Sequence, residues 1–171
     1  MATRISRREF QQALTERLRS AARGETTRTL LGALSGQERW LFDLAETGEI
    51  LPLTPLADVP LTRPWFAGIA NVRGTLYSVV DFSAFRGAVP TPRGSDSRLL
   101  LIGMPAGGNS ALLVNRTLGL RSLSSLTEEP QLPDNAPTWM GKRYLDNKGN
   151  TWHSIRVRQL LAHPDFLDVG Q

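Results

Sequence analysis

The sequence predicts an all-β protein, a barrel or sandwich of short strands, preceded by one amphipathic helix. Three observations carry that expectation. Past residue 28, apolar residues come in runs of four to seven bounded by Gly, Pro, Asn or Asp, without the 3.6-residue period of a helix. The segments Ser35-Gly36-Gln37 and Asp146-Asn147-Lys148-Gly149-Asn150 have the composition of tight reversals, Asn and Gly tolerating the positive φ that such turns need. A sustained helical period occurs near the N-terminus, where Phe10, Leu14, Leu18 and Ala21 share one face and Gln12, Glu16, Arg17 and Arg19 another.

That helix opens on Ser6-Arg7-Arg8-Glu9, a capping box with Ile5 and Phe10 at the staple positions, and ends before Gly24. Its expected place is against its own domain, basic face to solvent; reservation for a partner or an anionic membrane surface is the other reading. Strands are expected at 28–34, 39–44, 49–53, 69–72, 75–80, 98–102, 111–114, 118–123, 143–145 and 151–155. Between them fall a Pro-containing turn at 62–66 closed by Gly68, with Trp65 and Phe66 as wedges, and a helical turn at 81–85 that Asp81 caps and Gly87 ends. A helix at 157–162 closes the fold before Pro164, and the Pro-rich polar stretches 86–96 and 128–138 read as surface loops.

Composition excludes several functions. The chain has no cysteine, hence no disulfide, thiolate nucleophile or Cys-based metal site. His153 and His163 stand ten residues apart without a ligand pattern, His153 as a strand residue and His163 at the surface. No G-x-S-x-G elbow occurs, and Gly103-Met104-Pro105-Ala106-Gly107-Gly108-Asn109 leads into no helix, so it suits a hairpin tip better than a phosphate cradle. The net charge of +4 sits in residues 1–28, seven arginines against three glutamates, while the remainder balances 13 bases with 13 acids. A neutral body without a basic aromatic stripe argues against nucleic acid, although a basic β-barrel binding nucleic acid through its Arg-rich head stays as the alternative. The first 20 residues lack the apolar core of a signal peptide, and no run approaches ~18 apolar residues, so a cytoplasmic protein is expected. What is left is a β-rich binding module with neither catalytic set nor cofactor.

One stretch says more. Glu49-Ile50, Pro64-Trp65-Phe66-Ala67-Gly68, Asn71-Val72-Arg73-Gly74 and Val79-Val80-Asp81-Phe82 follow one another as do the hallmarks of the CheW-like domain of bacterial chemotaxis couplers, which residues 28 to about 166 resemble. The stretch 60–85 is most similar to the branch of that family serving type IV pili in twitching motility. The resemblance implies two packed SH3-like β-barrel lobes over 28–166, with 1–27 an added basic helix and linker and 167–171 a tail. It implies a non-enzymatic scaffold bridging the cytoplasmic tip of a methyl-accepting chemoreceptor to a CheA-like histidine kinase regulatory domain, with self-association in membrane receptor arrays as a further expectation. It assigns receptor contact to Arg73 and Glu49, and kinase contact to Gly68 and Thr47, where Thr47 departs from the family's aliphatic residue. Glu49 and Arg73 equally suit an intramolecular surface ion pair.

Overall fold

The computed structural model describes residues 7–22, 28–102, 108–130 and 132–171. Helix α1 (Arg7–Ala22) is followed by β1 (Thr29–Ser35), β2 (Glu38–Asp43), β3 (Thr47–Pro52), β4 (Leu56–Ala57), β5 (Phe66–Val72) and β6 (Thr75–Asp81). The short helix α2 (Phe82–Phe85) leads to β7 (Arg98–Ile102), β8 (Ser110–Val114), β9 (Arg116–Ser122), β10 (Thr127–Glu129), β11 (Met140–Leu145) and β12 (Thr151–Ile155). Helices α3 (Val157–Ala162) and α4 (Pro164–Leu167) end the chain.

The strands form two six-stranded sheets, ordered β10-β11-β12-β2-β1-β9 and β3-β7-β8-β6-β5-β4. Neighbours are antiparallel except β12 beside β2 and β6 beside β8, which are parallel. The second sheet is continuous in sequence; the first takes two strands from before it and four from after it. This is the expected two-lobed all-β architecture, with the lobes interleaved along the chain.

Packing explains the longest apolar runs. Leu99 and Leu101 turn into the core of the second lobe with Ala70, Val79 and Leu113, while Leu100 and Ile102 turn the other way, against Leu31, Trp40, Phe42 and Phe82. Strands β7 and β8 therefore bury both faces, and their sequences show no alternation. The interlobe cluster is the largest, and a smaller one around Leu30, Leu41 and Trp152 fills the first lobe.

Four expectations need correction. Strands β4 and β10 were not foreseen; β10 lies across the start of the expected loop 128–138 and pairs with β11, Glu129 opposite Arg143. The 86–96 stretch is not simply a surface loop, since buried Thr91 donates to the Asp81 carboxylate from its amide (2.8 Å) and its hydroxyl (2.6 Å). His163 is largely covered and caps α4, accepting from the Asp165 amide at its Nδ1 (3.3 Å). On α1, Phe10, Leu14 and Leu18 are 58, 48 and 67% exposed, so the stripe does not dock on its own body, whose cores are filled by the body's own strands. Ser6 and Ile5, on which the capping box and the staple depend, and most of the 103–109 segment lie outside the described residues.

The last residues are fastened. The Arg63 amide donates to Val169 O (2.8 Å), the Gln171 amide to Leu61 O (3.0 Å), Thr62 bridges Gly170, and the Arg63 guanidinium meets Asp168 at 2.5 Å. Leu61 takes a left-handed φ of 57° under this clasp.

Candidate functional site

Strands β5 and β6 are joined by two residues, Arg73 and Gly74, at φ of 50° and 86°. Two successive positive φ values make the tight reversal whose twist suits a hairpin, and the usual residues for it are Asn-Gly or Asp-Gly. Here an arginine occupies the first place. Asn71 supports the turn, its Oδ1 accepting from the Gly74 amide (2.9 Å).

The Arg73 guanidinium, 68% exposed, reaches Glu49 on β3 and donates to both carboxylate oxygens, the Nη1 contact being 3.0 Å. This two-point match fixes the plane of the guanidinium as well as its position. The bonds from Arg73 hold the Glu49 carboxyl below its usual range and raise the guanidinium above its own. The ion pair and the exposed hairpin tip thus occur together, because the pair orients the arginine without burying it.

The other two expected site residues are placed differently. Thr47 is buried at the start of β3, and its hydroxyl donates to Asp43 O (3.0 Å) within the β2–β3 turn. Gly68 is buried at a register shift between β5 and β6, at φ 131°. A Cβ there would stand 2.6 Å from Ala57 O, so β4 can lie against β5 only because the residue is glycine. Neither places a side chain at the surface.

A family model described as the CheW-like domain matches residues 29–165. This chain belongs to the CheW-like domain family. It is similar to Protein PilI of Pseudomonas aeruginosa PAO1, 27% identical over 141 residues that cover 82% of this chain and 79% of PilI. Its fold is similar to that of the scaffolding protein TtCheW from Thermoanaerobacter tengcongensis, with a TM-score of 0.69 at 16% identity over 83% of this chain and 97% of that one.

This CheW-like domain has a second feature, little visible in the sequence, an interlobe groove of about 760 Å³. Trp40, Trp65, Phe85 and Trp139 line it, with Glu38, Asp165 and Asp168 among its polar residues. Its keystone is Arg86, the first residue of the expected surface loop, whose side chain is only 9% exposed. The guanidinium stacks 5.0 Å from the ring centres of both Trp40 and Phe82, pairs with Glu38, and donates from Nη2 to Ser35 O (2.8 Å) and Oγ (3.1 Å). Burial pushes its pKa down. Two donors of this groove, Trp40 Nε1 and Arg86 Nε, are buried without an acceptor among the described residues. Isolated tryptophans in apolar context read as core, so only the fold could show four aromatic rings converging.

Proposed function

We propose that this protein is a non-catalytic coupling scaffold linking a methyl-accepting chemoreceptor to a CheA-like histidine kinase, in a chemotaxis-like system that controls type IV pilus twitching motility. Membership of the CheW-like family supports the scaffold role, and the similarity to PilI supports the pilus pathway. The observation that carries the reading is Arg73, an exposed arginine in a left-handed backbone conformation, oriented by Glu49 at a hairpin tip. Strain of this kind persists where the surroundings enforce it, and it gathers at functional sites. Arg73 contacts the receptor tip and Glu49 sets its register; such charges fix orientation more than they add affinity. Gly68 and Thr47 serve the kinase contact indirectly, by holding β4 against β5 and shaping the start of β3. The protein works in the cytoplasm at membrane receptor arrays; among the described residues no helix is long and apolar enough to cross a membrane.

Capture by an immobilised receptor tip and by the kinase regulatory domain tests this. Unaltered protein is retained by both. Arg73→Glu loses receptor capture with the fold unchanged, and Arg73→Glu with Glu49→Arg rebuilds the ion pair without restoring capture. If the unaltered protein binds neither partner, the reading fails.

A further inference from the structure

We propose that this chain associates with a second copy of itself by exchanging helices, the apolar stripe of α1 from each copy seating in the interlobe aromatic groove of the other. The two surfaces match in several respects. Phe10, Leu14 and Leu18 lie at helical spacing, and all three are exposed in their own chain. The groove offers the partly exposed rings of Trp65 and Phe85 over buried Trp40 and Trp139, in a volume within the range of sites that hold apolar groups.

Polar chemistry agrees with that pairing. The groove keeps two buried donors without acceptors, Trp40 Nε1 and Arg86 Nε, and an unmatched buried donor favours an occupant that brings oxygen. Gln11 stands three and seven residues before Leu14 and Leu18, so its carboxamide oxygen lies on the border of the same stripe. Charge is complementary as well. Residues 7–22 carry four arginines against Glu9 and Glu16, whereas the groove carries three carboxylates against Arg63 and Arg86. Those two arginines are taken by Asp168 and Glu38; among the described residues the Asp165 carboxylate, 83% exposed, is paired with His163 alone, at 3.8 Å.

One chain leaves both halves of that contact open: Phe10, Leu14 and Leu18 are exposed rather than seated in their own groove, so the occupant is supplied by a second copy.

The test is sedimentation of the full chain over a range of concentrations, alone and as two surface variants. Leu14→Asp spoils the helix and leaves the groove; Asp165→Arg spoils the groove and leaves the helix. The unaltered chain forms a dimer, and each variant weakens it at least about tenfold, as loss of a central anchor does. An equimolar mixture of the two variants associates more tightly than either alone, because it retains one intact helix–groove pair. Circular dichroism keeps both variants interpretable by showing that each remains folded. A chain that stays monomeric at all concentrations overturns the proposal, including one whose α1 docks in its own groove or binds anionic vesicles instead. So does a dimer that both variants leave intact, or a mixture that fails to associate. Receptor capture through Arg73 is a separate readout, and its failure leaves this result standing.

Discussion

At Arg73 the backbone asks for one residue and the side chain supplies another. A left-handed φ suits Asn or Gly, so Arg73→Asn relieves the turn, and we expect it to raise the thermal midpoint while lowering receptor capture. A gain of stability with loss of binding separates a recognition residue from a structural ion pair, whose removal would lower both. The pair also sets a pH direction. Because Glu49 titrates below its ordinary value of 4.5 when folded, its contribution is present above that value and is lost as the pH falls through its folded pKa. Receptor capture should weaken over the same acid range, which Glu49→Gln removes, as a pH series of the capture experiment would show. The sequence made Arg73 and Glu49 legible as a pair through their motifs. It could not show that Thr47 and Gly68 are buried, because burial at a strand start or a register shift depends on strands far along the chain.

Among the elements, β4 is the most dependent on a single residue. Its two positions pair with Ala70 and Ile69 on β5, and the approach leaves no room for a side chain at Gly68. Gly68→Ala meets both a forbidden φ and the Ala57 carbonyl, and should cost about 1–3 kcal/mol in denaturant unfolding. Hydrogen exchange at residues 56–57 and 69–70 should accelerate before that of β7 and β8. The same dependence explains which elements could be read beforehand. Strands β7 and β8 announce themselves by unbroken apolar runs, and α2 by Asp81, whose Oδ1 accepts from the Ala84 amide (3.3 Å). Strand β4 is two residues long and β10 reads Thr-Glu-Glu, so both exist only because a neighbouring strand edge supplies their partners. Helix α4 opens on Pro164, which a sequence reader takes as a stop and which also suits the first turn of a new helix.

At the scale of the molecule, Arg86 joins the lobes. It belongs to the second lobe, yet its bonds go to Ser35 and Glu38 of the first. Arg86→Met keeps the stem against Trp40 and Phe82 but leaves buried Ser35 without its donor, and should cost about 1–3 kcal/mol, measured by denaturant unfolding. Beside Trp40 lies His153, 5.1 Å between ring centres, with Nδ1 buried and without a hydrogen-bond partner among the described residues. Burial lowers its pKa from 6.5, outweighing Glu38, while Arg143 and Arg86 act in the same direction as burial. The unfolded chain therefore binds the proton more readily, so this contribution is complete above pH 6.5 and declines as the pH falls through the folded value. His153→Gln should flatten that decline in a pH series of thermal midpoints. The interleaving of the lobes has a consequence for biosynthesis. Strands β3 to β8 can pair as soon as residues 47–114 have emerged, but β1 and β2, made before them, wait for β9 and β12. During that interval Trp40, Leu41 and Phe42 lack their final cover. The two strands made just before the second sheet are thus the part most in need of a chaperone.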